Sequence, residues 1–399
     1  QPGRRFNRFI VLLCLAVLGK GIDISSLKLE QVLILSRHNV RTPLTDGLEQ
    51  YSSKPWPKWN NSAGELTKKG AELESYMGKY IAEWLDTEEF IEWCPDKEDV
   101  LIYANTRQRT IATAKAFAES AFFLCNLTVK HEKNLNAMDP IFFPILHNNS
   151  EAYRNQVKQE MENKLKALNI TEACLELNRI LILETADICK KLFMCDLTSL
   201  QNEAVLDYGE EPNVSGPLFM GNAIIDSFIM SYYEGMALKE IGWGEITSGE
   251  QWELLSKISS ANQDIRFNLK TCSKDLAGPL LKFMFDIFKS GTPKFTALFG
   301  HDSNLNSVIS ALGFKPFKLV NQFEPYPIGG KIIFQKWKDS ANTYLKVEYV
   351  YPNSKQLRYA ARLSMSHPPQ RVLLELNDCK VSANGYCLWQ DFMKLNTYS

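Results

Sequence analysis

The chain lacks several features that mark common classes of protein. No two of its nine cysteines have C-x-x-C spacing, so the sequence does not indicate a zinc ribbon or a thioredoxin-type redox centre. Its five histidines are scattered and form no clustered set of metal ligands. The formal net charge is only -1, so no global property indicates nucleic-acid binding. Any site for an anion must therefore come from a local group of arginines.

Long apolar runs are also scarce. One run of ten residues, 9–18, follows three arginines near the beginning of the chain. A membrane-spanning helix needs about 20 apolar residues, whereas a short apolar run behind positive charges is typical of a secretory signal. We expect residues 1–22 to be a signal peptide, with an uncleaved anchor as the alternative. After its removal, the protein should be exported and should not contact a membrane.

Cysteine usage agrees with export. Apart from Cys14 in the expected signal, the nine cysteines leave an even set of eight, which in a secreted chain indicates disulfides. The pairs that we predict are Cys94 with Cys125, Cys189 with Cys195, and Cys379 with Cys387. Cys174 and Cys272 remain, either paired or as free buried thiols. The alternative is that all eight are reduced.

The apolar pattern predicts an α/β beginning, a helical middle and an α/β end. The main predicted elements are helices at 67–85 and 107–122, a strand at 100–104, and a hairpin of strands at 331–337 and 344–350. We expect one α/β catalytic domain, formed by residues 23–140 and 291–399. A mostly helical domain, residues 141–290, would be inserted between its two parts.

The segment Arg37-His38-Asn39-Val40-Arg41-Thr42-Pro43 carries the most informative chemistry. It follows the apolar run 31–35, which predicts a buried strand, and open α/β sheets bind ligands at the carboxyl ends of their strands. Arginine offers a planar fork of donors that matches phosphate oxygens, and a neutral histidine can attack phosphorus. The segment therefore predicts a site for phosphate chemistry, with a solvated surface pair as the alternative.

A second segment, Gly300-His301-Asp302-Ser303-Asn304, also follows an apolar run, residues 295–299. Its aspartate is a candidate proton donor. Since residues 303–312 predict a helix, Asp302 could instead be the N-cap of that helix, and the two roles are compatible.

These two segments resemble the signatures of the histidine acid phosphatases. The first looks like the R-H-(G/N)-x-R-x-P motif of that family, and Gly300-His301-Asp302 looks like its second motif. The similarity is greatest to the branch of bacterial periplasmic glucose-1-phosphatases and extends over essentially the whole chain after residue 28. Further similar blocks are Tyr103–Ala114, Val214–Leu218, Tyr232–Gly235, Trp243–Ile246 and Pro327–Ile332.

The resemblance implies an α/β fold with a phosphoglycerate-mutase-like large domain, a central mixed sheet flanked by helices, and a smaller helical insertion. It implies that His38 forms a phosphohistidine and that Asp302 protonates the leaving alkoxide. The substrate-binding residues that it implies are Arg37, Arg41, Arg109, His301 and Glu234. Arg107 could replace Arg109, and Glu234 could instead be a solvated carboxylate at a helix end. Asn39 stands where the common family form has glycine, so we expect positive φ there.

The expected partner is a small phosphate monoester, with no cofactor and no metal, because the arginines supply the positive charge. Within the family, a sugar phosphatase competes with a phytase, which acts on inositol hexakisphosphate, and with a broad acid phosphatase. A carboxylate such as Glu234 near the substrate would repel additional phosphates and favours the sugar phosphatase. A catalytically dead phosphate binder would be expected to lack the histidine, an arginine or the aspartate. The resemblance also favours a periplasmic, or else secreted, location.

Overall fold

The computed structural model describes residues 22–398. The expected signal peptide lies outside the described residues, apart from Ile22. The helices are α1 (Lys68–Thr87), α2 (Gln108–Ala121), α3 (Glu151–Lys166), α4 (Thr171–Leu181), α5 (Asp187–Leu192), α6 (Pro217–Glu234), α7 (Gly249–Phe267), α8 (Ser273–Ser290), α9 (Asp302–Leu312), α10 (Ser354–Arg358) and α11 (Trp389–Met393). The strands are β1 (Lys28–Arg37), β2 (Val100–Ala104), β3 (Val129–Lys130), β4 (Glu203–Val205), β5 (Asn213–Ser215), β6 (Phe295–Gly300), β7 (Lys331–Lys338), β8 (Thr343–Tyr351), β9 (Gln370–Leu374) and β10 (Cys387–Leu388).

Eight of these strands form one mixed sheet, as expected. Its order is β10-β8-β7-β1-β6-β2-β3, with β9 also paired to β8. Strands β1, β6, β2 and β3 run parallel, whereas β7, β8, β9 and β10 add antiparallel pairs. In the register, Arg37 lies opposite Gly300, and Ala104 lies opposite Phe299. The carboxyl ends of β1, β6 and β2 therefore meet at one edge of the sheet.

Strand β1 lies in the middle of the sheet and is covered on both faces. Val32 and Ile34 belong to an apolar cluster with α1 and α2, whereas Leu33 and Leu35 belong to a cluster with α8 and α9. Alternate side chains of a strand point to opposite faces, so a strand covered twice is apolar throughout. This explains why the sequence shows a continuous apolar run at this position.

The helices of the middle of the chain form a third apolar cluster. Side chains of α3, α4, α6 and α7 pack there together with residues that follow β1, such as Val40 and Leu48. Helix α8 lies within the expected insertion, 141–290, but packs on the sheet. The division into a catalytic domain and an insertion remains a prediction.

Three disulfides connect the predicted pairs: Cys94 with Cys125, Cys189 with Cys195, and Cys379 with Cys387. Cys174 and Cys272 are buried and are not disulfide-bonded. Within residues 22–398, no helix combines the length and the apolar character that crossing a bilayer requires.

Candidate active site

His38 lies directly after β1, and its backbone N–H donates to the carbonyl oxygen of Gly300 at 3.0 Å. Its Nδ1 is 2.8 Å from the carbonyl oxygen of Asn39. Because a carbonyl oxygen can only accept, Nδ1 carries the proton when the ring is neutral and Nε2 carries a lone pair. Local backbone geometry thus gives His38 the tautomer that a nucleophile acting through Nε2 needs.

Three arginines stabilise the neutral form of this histidine. Burial lowers the pKa of His38 well below its ordinary value, and the charges of Arg109, Arg41 and Arg37 lower it further. Each of these arginines has a buried Nε atom without a hydrogen-bond partner in the part of the chain that the structure describes. Buried donors are normally satisfied, so three orphaned donors around one imidazole indicate a place for an anion.

Carboxylates balance the charge of two of these arginines. Arg37 contacts Glu324, and its Nη2 is 3.3 Å from Asp302. Arg41 forms a bidentate pair with Asp226, with distances of 2.9 and 3.0 Å.

Arg109 differs from them. Among the described residues, its guanidinium group donates only to the carbonyl oxygen of Gly64, at 3.4 Å. An unpaired and largely buried charge is costly unless an anion joins it. Arg109 therefore supplies most of the uncompensated positive charge of the site. Arg107, the alternative from sequence, also lines the cavity, and its Nε lies 3.2 Å from the sulfur of Met138.

Asp302 is the first residue of α9 and follows the N-cap residue, His301. Its Oδ1 accepts a hydrogen bond from the backbone N–H of Ser303 at 2.9 Å. Burial would raise the pKa of Asp302, but Arg37 and Arg41 outweigh burial and hold that pKa below its usual range. A bound phosphate would offset these charges, so the carboxyl group would gain a proton more easily in the complex.

His301 lies close to His38, with their ring centroids 5.6 Å apart. Its Nε2 is 2.7 Å from Nδ2 of Asn105, which follows β2. Burial, followed by the charge of Arg109, lowers the pKa of His301 well below its ordinary value, so its ring is also neutral. We use the name phosphate cradle for Arg37, His38, Arg41, Arg109, His301 and Asp302.

The phosphate cradle lines a cavity of about 700 Å³. Residues from the middle of the chain line the same cavity, and several of them carry carboxyl or amide groups. We use the name outer wall for six of these residues, namely Asp207, Glu210, Glu211, Asn213, Gln263 and Arg266.

Glu211 of the outer wall lies 3.3 Å from Arg266. Burial raises the pKa of Glu211 to about 7, since Arg266 only partly opposes it and Asp302 adds repulsion. At acid pH this carboxyl group is therefore neutral and can donate a hydrogen bond as well as accept one.

Glu234 does not line this cavity. Its carboxylate accepts a hydrogen bond from Oγ1 of Thr67, the N-cap of α1, at 2.7 Å. Asp226, on the same helix α6, does line the cavity. Glu234 lies eight residues beyond it, which corresponds to about 12 Å along the helix. Glu234 thus lies outside this cavity, and its contact with substrate remains a prediction.

Asn39 does not adopt the positive φ that its place in the motif suggested, so this expectation is wrong. Its side chain instead donates to Glu74 at 2.9 Å and accepts from the backbone N–H of Val40. Glu74 also accepts from Lys331 at 2.6 Å, and both side chains are fully buried. A buried network of polar groups thus supports the backbone that carries His38.

Sequence reasoning missed four residues that contact the phosphate cradle or shape the cavity. They are Asn105, Glu211, Asp226 and Glu324. No motif marks them: Asp226 is 185 residues from its partner Arg41, and Glu324 is 287 residues from Arg37. Only Asn105 lay within a block similar to the family, and its partner His301 is 196 residues away.

Comparison with known proteins agrees with this geometry. Residues 28–204 match the histidine phosphatase superfamily (branch 2). The chain is 41% identical over 378 residues to a glucose-1-phosphatase of Providencia rettgeri, and this alignment covers 92% of this chain and 91% of that protein. It is 41% identical over 370 residues to a glucose-1-phosphatase of Salmonella typhimurium, and this alignment covers 90% of each chain.

Among solved structures, the chain is similar to the Hafnia alvei phytase in complex with myo-inositol hexakis sulphate. The TM-score is 0.85 at 26% identity, covering 93% of this chain and 96% of the phytase. The expected α/β fold with a central mixed sheet is thereby confirmed. The chain belongs to the histidine phosphatase superfamily, branch 2.

Proposed function

We propose that this protein is an acid phosphomonoesterase that hydrolyses small sugar phosphates such as glucose 1-phosphate. His38 is the nucleophile and Asp302 the general acid. One observation carries the proposal: a neutral imidazole with a free Nε2 lies among three arginines that have orphaned donors, close to an aspartate.

In the first step, Nε2 of His38 attacks the phosphorus atom and the bond from phosphorus to the ester oxygen breaks. Asp302 gives its proton to the leaving alkoxide, which would otherwise leave poorly. The Nδ1–H of His38 keeps its hydrogen bond to the carbonyl oxygen of Asn39, which stabilises the positive charge of the phosphorylated ring.

In the second step, a water molecule attacks the phosphohistidine. The carboxylate of Asp302 takes a proton from this water, inorganic phosphate leaves, and Nε2 recovers its lone pair. Arg37, Arg41 and Arg109 bind the equatorial oxygens in both steps, and fixed donors of this kind usually give the largest share of catalysis. The mechanism uses no metal and no cofactor, because these guanidinium groups supply the positive charge.

The choice of a sugar phosphate rests on the outer wall and on the relatives. Carboxyl and amide groups such as those of Asp207, Asn213 and Gln263 can bind sugar hydroxyls by hydrogen bonds. The relatives at 41% identity are glucose-1-phosphatases, whereas the similar phytase structure is 26% identical.

A phytase or a broad acid phosphatase is the second candidate function. Two further cations, Arg107 and Arg266, line the same cavity and could bind additional phosphate groups. For location, the three disulfides suggest an exported protein, since disulfides persist in oxidising compartments. We propose the periplasm, with a signal peptide at residues 1–22.

The decisive experiment traps the phosphoenzyme. Phosphohistidine is hydrolysed in acid and survives in alkali. The reaction with ³²P-labelled glucose 1-phosphate is therefore quenched in alkali. We expect label on wild type and on His367→Ala, whose histidine is exposed, but none on His38→Ala. An unlabelled wild type, or a labelled His38→Ala, would contradict the mechanism.

The substrate is decided separately by assaying glucose 1-phosphate and inositol hexakisphosphate in parallel at acid pH. We expect the larger kcat/KM for glucose 1-phosphate. Much faster turnover of inositol hexakisphosphate would favour the second candidate.

A further inference from the structure

Asn105 is fully buried between the carboxyl end of β2 and His301. Its Oδ1 accepts hydrogen bonds from the backbone N–H groups of Thr106, at 2.8 Å, and Asp139, at 3.1 Å. Its Nδ2 lies 3.2 Å from the sulfur of Met138 and 2.7 Å from Nε2 of His301.

These contacts fix the orientation of the amide. Backbone N–H groups can only donate, so the amide atom that faces Thr106 and Asp139 must be the oxygen. The atom that faces His301 is therefore the NH₂ group, which can only donate. Since Nε2 of His301 receives this hydrogen bond, it must carry the lone pair, and the proton of the neutral ring must be on Nδ1.

The two histidines of the phosphate cradle thus share one tautomer but use opposite nitrogens. In His38, Nδ1–H is held by the carbonyl oxygen of Asn39, and Nε2 remains free with a lone pair. In His301, Nε2 is held by Asn105, and Nδ1 remains with its proton. One ring can attack phosphorus, while the other can donate to a phosphate oxygen.

We propose that Asn105 is a positioning residue that holds His301 in the Nδ1–H tautomer, so that His301 donates a hydrogen bond to the transferred phosphoryl group. The proposal rests on the proposed function. Without the amide donor, a neutral His301 could place its proton on Nε2 and present a lone pair to the phosphate oxygens, which would repel them.

The charges around His301 do not select a tautomer by themselves. They lower or raise the pKa of the whole ring, and they come from β1, the segment that follows β1, α2 and α9. The charged groups are Arg37, Arg41, Arg109 and Asp302. The choice between Nδ1 and Nε2 depends on the hydrogen bond from Asn105.

The substitution Asn105→Asp tests this role with the smallest change in shape. One carboxylate oxygen keeps the hydrogen bonds from Thr106 and Asp139, while the other faces Nε2 and can only accept. In the neutral ring, the proton should therefore move to Nε2. A further proton taken up by the Asp–His pair at low pH restores the proton on Nδ1.

The first readout is the tautomer itself, measured by long-range ¹H–¹⁵N NMR on protein labelled in its five histidines. The His301 signals are assigned by their absence in His301→Ala. We expect Nδ1–H in wild type and Nε2–H in Asn105→Asp at pH 7. Asn222→Asp, which adds a carboxylate at a residue that lines the cavity, should leave the tautomer of His301 unchanged. A wild-type Nε2–H tautomer would overturn the proposal, even if a variant fails to fold.

The second readout is the pH profile of kcat. Losing one donor to a developing oxyanion costs roughly 10²–10³-fold, so we expect a ~100-fold loss in Asn105→Asp at pH 7. As the pH falls, the loss should shrink to less than ~10-fold, because the restored Nδ1 proton can donate again. A loss that is equal at all pH values would indicate a merely structural effect and overturn the proposal.

A double-mutant cycle completes the test. If Asn105 acts through His301, then Asn105→Asp should have little further effect in a His301→Ala background. Fully additive losses would contradict the proposal. The phosphoenzyme trap on wild type is independent of these variants: absence of the label would remove the proposed function, whereas the NMR result would still report on the hydrogen bond.

Discussion

The phosphate cradle and the outer wall line the same cavity but have opposite character. The phosphate cradle holds three arginines and two neutral histidines at the ends of adjacent strands of the sheet. The outer wall holds three carboxyl groups and two amides, with Arg266 as its one cation, and comes from the middle of the chain. The phosphate cradle thus suits a phosphate group, and the outer wall suits a neutral leaving group rich in hydroxyls.

The two regions also differ in how they are held. The phosphate cradle rests on the register of parallel strands and on buried polar partners such as Asn105, Glu74 and Lys331. The outer wall is partly exposed and includes segments between short elements. Substitutions in the phosphate cradle should therefore affect catalysis, whereas those in the outer wall should affect the choice of substrate.

The largest effect is expected from Asp302→Asn. The amide cannot protonate the leaving alkoxide, so kcat for glucose 1-phosphate should fall by roughly 10²–10⁴-fold. The rate of phosphoenzyme formation, measured before the steady state, should fall much less for p-nitrophenyl phosphate, because its leaving group needs little protonation. Asp207→Asn, in the outer wall, is the matched control and should change kcat for either ester less than ~10-fold. Equal losses in the rate of phosphoenzyme formation for both esters in Asp302→Asn would remove Asp302 from the acid role.

The substitution Glu74→Leu breaks the buried ion pair that supports the phosphate cradle and leaves the ammonium group of Lys331 buried without its carboxylate partner. Removing one member of a buried ion pair costs about 3–5 kcal/mol, measured here as the free energy of unfolding in denaturant. The double variant with Lys331→Met should recover most of this loss. As a control, Asp286→Ala removes the exposed pair with Lys282 and should cost less than about 1 kcal/mol. A Glu74→Leu protein as stable as this control would disprove the importance of the buried network.

Arg41→Met and Arg266→Met compare one cation from each region. Arg41 is expected to stabilise the charge that develops on the phosphate oxygens, so its loss should lower kcat by roughly 10²–10³-fold. Arg266 lies in the outer wall beside Glu211, and its loss should change KM and the substrate ratio while kcat changes less than ~10-fold. Similar losses of kcat in both variants would show that the division between the two regions is wrong.

The smallest effect concerns pH and Glu211. With a pKa raised to about 7, this carboxyl group is neutral below that pH and charged above it. Its repulsion of additional phosphates should therefore appear as the pH rises through 7. We expect the ratio of kcat/KM for glucose 1-phosphate to that for inositol hexakisphosphate to increase about 5-fold between pH 5 and pH 8, equivalent to about 1 kcal/mol. Glu211→Gln should flatten this change, and a wild-type ratio that does not depend on pH would contradict the role of Glu211.

Much of the phosphate cradle could be predicted from sequence, because its residues lie in short segments behind apolar runs. His38 and Asp302 follow β1 and β6 within two residues, and parallel pairing of these strands brings their ends together. Glu234 shows the limit of this approach. It lies on α6, as does the cavity residue Asp226, but the helix carries it to the N-cap of α1.

By itself, the sequence determined the two motifs and the three disulfide pairs through residue types and their spacing, and its resemblance to the histidine acid phosphatases implied the family and the central mixed sheet. Only the tertiary structure decided which side chains are neighbours of these motifs. Asn105 meets His301, and Asp226 meets Arg41, through packing of segments 196 and 185 residues apart. Hydrogen-bond direction and charge balance depend on these distant neighbours. The tautomers of the histidines, and Arg109 as the one arginine of the phosphate cradle without a carboxylate partner among the described residues, could therefore be identified only in the folded chain.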